Sequence, residues 1–193
     1  SVLVIGDVII DHFCYGRVTR ISAEAPISVF DEERSLYQLG GAANVARHLW
    51  SLGLDVKLLS VVGSGFTKFS ESADFTLPKY LVLSEEARRI SIKRRFISNF
   101  RSTHLFRADS EDTHDITAAS RERLLHQITE LLPRSSAVVM VDYVKGVFSD
   151  DFIADVISIA NRYGVPSFID TKRDDLCGCR GAFLIKPNLN EFR

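Results

Sequence analysis

The sequence predicts an α/β fold, a doubly wound and mostly parallel sheet with helices on both faces, carrying a small antiparallel β lid. Three observations predict it. Short continuous apolar runs alternate with stretches of helical period, most regularly over residues 117–185. Two separated stretches, 12–39 and 90–107, have instead the β-branched and aromatic character of antiparallel strands. Polar residues follow immediately on each apolar run, as expected where strand ends form a ligand-binding rim.

Residues 2–5 are an apolar run closed by Gly6-Asp7, a buried strand feeding a loop. The stretch 12–39 holds Pro26, the run Ile27-Ser28-Val29-Phe30, the acidic turn Asp31-Glu32-Glu33 and a second run over 35–39, which together read as a hairpin. Over 41–52, Ala42, Val45, Ala46, Leu49 and Trp50 recur at helical spacing, with Gly53 at the place of a helix C-cap. Residues 56–62 read as the next buried strand, whereas 64–87 mix Gly, Ser, Lys and Glu without a period and receive no element. Ile90, Ile92, Phe96, Ile97, Leu105 and Phe106, set among arginines, give the second lid excursion. Beyond it the pattern predicts a helix over 117–132, a strand over 137–141, a helix over 150–163 closed by Gly164, and strands over 165–169 and 182–185.

A chain of 193 residues with 46% hydrophobic content suits one globular domain. Its net charge of −1 supplies no general pull toward nucleic acid or anionic lipid, so small molecules are the expected partners. No apolar run approaches the length of a membrane span, and residues 1–7 read as strand and turn rather than a signal peptide, which makes a cytoplasmic location the default expectation. Cys14, Cys177 and Cys179 form neither a disulfide framework nor a zinc pattern, and Cys177-Gly178-Cys179 reads as an incidental loop pair. His12, His48, His104, His114 and His126 fall in different elements without metal-ligand spacing. There is no Gly-x-Ser-x-Gly and no Walker-type loop.

The residues after the apolar runs are Asp7 and Asp11, then Asp142-Tyr143-Val144-Lys145-Gly146, then Asp170-Thr171-Lys172, then Lys186, Asn188 and Glu191. Carboxylates accept hydrogen bonds from hydroxyls and lysines meet phosphates, so this rim suits a polyhydroxylated, phosphorylated ligand. Ordinary solvent-exposed strand ends are the competing reading. Gly40-Gly41-Ala42-Ala43-Asn44 opens a helix with paired glycines, which lets a ligand approach the backbone near unpaired N–H donors. A tight lid-to-helix turn would want the same two glycines.

Taken together, Gly6-Asp7-Val8-Ile9-Ile10-Asp11, Gly40-Gly41-Ala42-Ala43-Asn44-Val45-Ala46, Asp170-Thr171-Lys172 and Asn188-Leu189-Asn190-Glu191 resemble the ribokinase/PfkB family of carbohydrate kinases, across essentially the whole chain. Within it, residues 19–26 and 142–146 look most like the D-glycero-β-D-manno-heptose 7-phosphate kinases, similar to the kinase half of the bifunctional enzymes that make ADP-heptose for lipopolysaccharide. The resemblance implies ATP-dependent phosphorylation of a sugar phosphate, at the anomeric oxygen for the heptose, with ATP and Mg2+ as cofactors. Asp11 and Asn44 would hold sugar hydroxyls, with the Gly40 and Gly41 backbone against the ring. Asn188 and Glu191 would organise magnesium and its waters beside the ATP phosphates. Lys172 would meet the nucleotide's phosphate, Lys145 a phosphate, and Lys93 and Arg107 the sugar's own phosphate. Arg107 with Asp109 reads equally as a surface ion pair.

Three departures accompany the resemblance. The Gly-Ala-Gly-Asp element that carries the family's base does not occur in residues 1–193 and is expected downstream of Arg193, with the last third of the fold. Residues 1–193 alone are therefore expected to be inactive, and a truncated, non-catalytic sugar-binding module stays open beside another sugar kinase of the family. After Gly63 the usual acid is lacking and the interval to Arg88 is short. Arg89-Ile90-Ser91-Ile92-Lys93 stands where a Thr-rich strand is usual. By analogy alone, lids in this family pair between subunits, which suggests a homodimer.

Overall fold

The chain opens with β1 (Val2–Gly6), turns at Asp7 and enters β2 (Val8–Ile21), which returns as β3 (Ser28–Gly41). There follow α1 (Ala42–Ser51), β4 (Val56–Gly63), β5 (Lys79–Glu85), β6 (Ile92–Ser98), β7 (Thr103–Ser110) and α2 (Ala118–Leu131). The last elements are β8 (Ala137–Asp142), α3 (Asp150–Arg162), β9 (Ser167–Thr171) and β10 (Leu184–Ile185). This computed structural model describes residues 1–66, 69 and 79–189.

Among the described residues, the main sheet has the order β10-β9-β8-β1-β4-β5, and every pairing in it is parallel. Its strands read as unbroken apolar runs because both faces are covered. Leu3 and Ile5 point into a core shared with α2 and α3 through Leu124, Ile128, Phe152, Val156 and Ala160. Val4, Leu58 and Val141 point the other way, onto Ala42, Ala43 and Ala46 of α1. Those alanines let the helix lie close to the sheet. On the same face, beyond α1, an apolar groove of about 310 Å³ is lined by Val45, Val139, Phe168, Ile169 and Leu184. No described helix is long and apolar enough to cross a membrane.

The helix ends follow their sequence signals. Thr117 Oγ1 accepts from the Ser120 N–H at the start of α2, and Ser149 Oγ accepts from the Phe152 N–H at the start of α3. The Gly164 N–H donates to the Asn161 carbonyl just past α3.

Four differences from the sequence expectation have physical reasons. The first is β5, a sheet-edge strand inside the stretch that showed no period; its Tyr80-Leu81-Val82-Leu83 run is short and is preceded by residues 70–78, which lie outside the described residues. The second is the lid, which is mixed rather than purely antiparallel: the hairpins β2–β3 and β6–β7 are antiparallel, but β2 and β6 join them in parallel. Its strands also exceed the expected 12–39 and 90–107, because β2 leaves the main sheet directly after Asp7 and β7 runs on to Ser110. The third is that β9 starts two residues late, since Pro166 has no N–H for the ladder and offers only its carbonyl, to the Val138 N–H. The fourth is that β10 shrinks to Leu184–Ile185, because the Ala182 N–H donates to the Cys179 carbonyl and the Phe183 N–H to Ser167 Oγ.

Candidate functional site

From β1 the chain moves to β4 on one side, and it later returns through β8 on the other, so the crevice beyond β1 and β8 is the topological switch point of the sheet. Two buried acids stand there, Asp7 after β1 and Asp142 at the end of β8. Both are committed to the protein. Asp7 accepts the backbone N–H groups of Tyr143 (2.7 Å), Lys145 (3.1 Å) and Val147 (3.2 Å), which wraps the 143–147 loop over its carboxylate. Burial, and after it the charge of Asp142, pushes the Asp7 pKa up to about 6 against the pull of those donors. Asp142 accepts from the Val144 N–H, Thr171 Oγ1 and Arg173 Nε, at 2.9, 2.9 and 2.6 Å. Within the loop Val144 is held at φ 56°, a costly conformation for a β-branched residue that these anchors impose.

The loop presents Tyr143 as a platform between the lid and the sheet. Lys93 of β6 lies with Nζ 5.8 Å from the ring centroid, and Lys172 after β9 lies at 5.5 Å. Lys172 also faces Asp170 at 3.9 Å, and Lys186 reaches the same Asp170 oxygen at 3.3 Å.

On the lid, strand alternation sorts the side chains. Asp11 and Phe13 leave one face of β2, His12 and Cys14 the other. Asp11 stands beside Lys93 in the β2–β6 register and beside Gln38 in the β2–β3 register. Arg95 closes an ion pair on Asp11 and lies over the Phe13 ring. Arg107 faces Arg95 across β6–β7, and its Nε meets Asp109 at 2.9 Å. Its side chain is 55% exposed, so this is a surface ion pair, as in the second sequence reading.

Gly40 and Gly41 bring the end of β3 against these residues. A Cβ on Gly40 would run into the Asp11 carboxylate, so glycine is what lets Asp11 lie along the β3 backbone. Gly41 is the N-cap of α1 at φ 57°, and the next N–H, that of Ala42, donates to the Asp7 carbonyl at 2.8 Å. Asn44 lies in the first turn of α1, where its Oδ1 accepts from Arg47. Asp11, Gly40, Gly41 and Lys93 thus form one group, and Lys172 joins it through Tyr143. Lys145 turns elsewhere, its ammonium held 2.7 Å from Glu111 and its side chain only 16% exposed. Asn188 follows Pro187 after β10, and Glu191 lies outside the described residues.

Four residues carry weight that the sequence did not reveal. Arg95 is the partner of Asp11, and the alternation Lys93-x-Arg95 on a strand was a signal for it. Arg88 is buried after β5, donating to Glu85 Oε2 (3.1 Å), the Lys145 carbonyl (3.0 Å) and the His114 carbonyl (2.8 Å). Glu85 in turn accepts from the N–H and the hydroxyl of Thr117, both at 2.9 Å. Burial opposes the charge of Glu85, but hydrogen bonds from Ser120, Thr117 and Arg88 outweigh it and hold the pKa down to about 2. Arg173 links Asp142 to Asp150 and the Phe148 carbonyl, tying β8 to the start of α3.

The family of pfkB carbohydrate kinases matches the chain over residues 1–193. The bifunctional protein HldE of Rhodopseudomonas palustris strain BisA53 is 37% identical over 195 residues, covering 100% of this chain and 40% of the relative. HldE of Bradyrhizobium diazoefficiens is 36% identical over 195 residues with the same coverage. The chain therefore spans 40% of the length of these curated relatives. Phosphofructokinase-2 of Escherichia coli in complex with fructose-6-phosphate superposes with a TM-score of 0.78 at 16% identity, over 98% of this chain and 61% of that one. A putative phosphofructokinase of Staphylococcus aureus gives 0.70 at 17% identity, over 88% and 52%. At such identities the structural likeness establishes the fold.

Proposed function

The chain belongs to the pfkB family of carbohydrate kinases, and from that premise we propose that it forms the sugar-binding part of an ATP-dependent kinase acting on D-glycero-D-manno-heptose 7-phosphate. The anomeric oxygen is the acceptor, and the product leads toward ADP-heptose for lipopolysaccharide. Residues 1–193 are read as one incomplete ribokinase-like domain with its lid in β2–β3 and β6–β7. The observation that carries this reading is Asp11 lying against Gly40 with Lys93 and Arg95 on the same lid face. An acid that accepts hydroxyls, set among cations that meet a phosphate, fits a phosphorylated sugar better than a neutral one. The 35–38% identity to proteins named bifunctional HldE supports the heptose over other sugars.

Asp11 accepts hydrogen bonds from sugar hydroxyls, with Asn44 and the Gly40-Gly41 backbone against the ring. Lys93 and Arg107 meet the sugar's phosphate once Arg107 exchanges Asp109 for it, and Lys145 does so only by leaving Glu111. Asn188 and Glu191 offer the hard oxygen donors that suit a hydrated magnesium ion, and Lys172, beside Asp170 after β9, is assigned the nucleotide's phosphates. Magnesium and ATP would supply charge neutralisation and the transferred phosphoryl group. Asp7 and Asp142, saturated by protein donors, are excluded as the base. A cytoplasmic location and a homodimer through the lid belong to the same reading.

The test is ADP release by the full-length protein with heptose 7-phosphate, ribose or fructose 6-phosphate as acceptor. Preference for the heptose, abolished in Asp11→Ala, is the expected result. An equal response to all three rejects the heptose assignment, and no transfer to any of them rejects the kinase in favour of a binding module.

A further inference from the structure

His12 and Cys14 lie on the face of the lid opposite Asp11, where the sugar reaction gives them no role. Their sequence spacing did not suggest a metal site; the hairpin creates one by adding Glu32, which pairs with Gly16 across β2–β3. One donor atom from each of His12, Cys14 and Glu32 lies within 4.8 Å of the others. Cys14 Sγ is 3.5 Å from His12 Nε2. Imidazole nitrogen and thiolate bound to one tetrahedral zinc, at ~2.0 and ~2.3 Å, stand about 3.5 Å apart. The two buried side chains thus already have the separation of two ligands on one ion. The His12 ring is stacked on Tyr37 at 4.1 Å and 14°, which fixes its plane.

We propose that His12, Cys14 and Glu32 form a binding site for a borderline-soft transition-metal dication such as Zn2+, with water as the fourth ligand. A thiolate, an imidazole and a carboxylate select such an ion over Mg2+ or Ca2+, which take oxygen donors. On binding, the Cys14 S–H bond gives its proton to solvent as the sulfur–metal bond forms, and nothing is oxidised. Without an ion, burial and then the neighbouring Glu32 carboxylate push the Cys14 thiol up to about 11, which leaves it inert as a nucleophile. Arg94 Nε donates to His12 Nδ1 at 3.0 Å. In the ion-bound form the ring proton sits on Nδ1, Nε2 holds the metal, and Arg94, at an exposed position of β6, turns to solvent. Exposed Glu32 provides the way in, and the bound ion pins β2 to β3 a few residues from Asp11.

The test titrates the reduced protein with Zn2+ against a competing chromophoric chelator, and with Co2+, whose thiolate complexes absorb in the near ultraviolet. The expected result is one ion per chain, weakened about 100-fold by Cys14→Ser and by His12→Gln and about tenfold by Glu32→Gln. Cys177→Ser, which removes an exposed cysteine, leaves the affinity unchanged. Equal zinc affinity in wild type and Cys14→Ser overturns the site. Against the chance that Cys14→Ser misfolds, the Cys177→Ser/Cys179→Ser variant keeps Cys14 alone: a cobalt–thiolate band there supports the site, and its absence overturns it.

Discussion

Arg95 of β6 grips the carboxylate of Asp11 on β2, two strands that run parallel at the centre of the lid. Both side chains are partly buried, and the guanidinium also lies over Phe13. The pair fixes where Asp11 points. Arg95→Met in the full-length protein is predicted to raise KM for the sugar roughly tenfold with a smaller change in kcat, because a charge-assisted hydrogen bond that orients Asp11 is lost. Arg95→Lys restores part of it, keeping the charge without the fork. Steady-state kinetics check this, and an unchanged KM in Arg95→Met removes Arg95 as a positioning residue.

Adjacent glycines are predicted to fail in different ways. An added Cβ at Gly40 meets the tip of a side chain, Asp11, whereas one at Gly41 meets the Asp7 carbonyl at φ 57°. Gly40→Ala therefore displaces Asp11 and weakens sugar binding while costing only about 1 kcal/mol of stability. Gly41→Ala strains the backbone at the start of α1 and costs roughly 2–3 kcal/mol. Denaturant unfolding beside sugar affinity separates the two, and equal stability losses would contradict the assignment.

Arg88, with 4% of its side chain exposed, ties β5, the 143–147 loop and the segment before α2 together. Arg88→Met leaves Glu85 Oε2 and two carbonyls without their arginine donor, Thr117 still serving only Oε1, and a loss of roughly 3–5 kcal/mol is predicted. Glu85→Gln in the same background then costs much less than it does alone, since the two groups are coupled. A double-mutant cycle by urea unfolding measures this; additive losses would mean that the ion pair matters little.

Most of the parallel sheet was legible because β1, β4, β8 and β9 are short apolar runs, and α1 and α3 announce their ends with Gly53 and Gly164, whereas β5 lay in a stretch without a period. The lid hairpins were legible as excursions, yet the parallel joint between β2 and β6 was not, because their sequence separation leaves no local signal of which edges meet. Asp11 and Gly40 were singled out through their motifs, and the fold sets them against each other. Arg95 and Arg88 were not, since an arginine in a basic stretch looks the same whether it faces solvent or a buried carboxylate. Lys145 shows the converse: its place after a strand suggested phosphate, and only the fold reveals Glu111 across from it.

Asp7 links the central strand to pH. Its folded-state pKa of about 6 stands above the ordinary 3.8, so between those values the folded chain holds a proton that the unfolded chain has released. Stability from this group is fully present below the lower value and is lost as pH rises through the upper one, on the order of 3 kcal/mol in all. Glu85 has the opposite sign: held down to about 2 from 4.5, it contributes above 4.5 and fails as pH falls toward 2. Asp7→Asn is close in shape to the protonated acid and keeps one oxygen for the Tyr143 and Lys145 N–H groups that share Oδ2, while its amide nitrogen faces the Val147 N–H at a cost that does not vary with pH, because it cannot titrate. The stability difference between wild type and Asp7→Asn is therefore predicted to shift in favour of the variant by about 2.5 kcal/mol between roughly pH 4 and pH 7.5. Urea unfolding of both proteins across that range measures it, and a difference that stays constant with pH would show that the three backbone donors, rather than burial, set the charge state of Asp7.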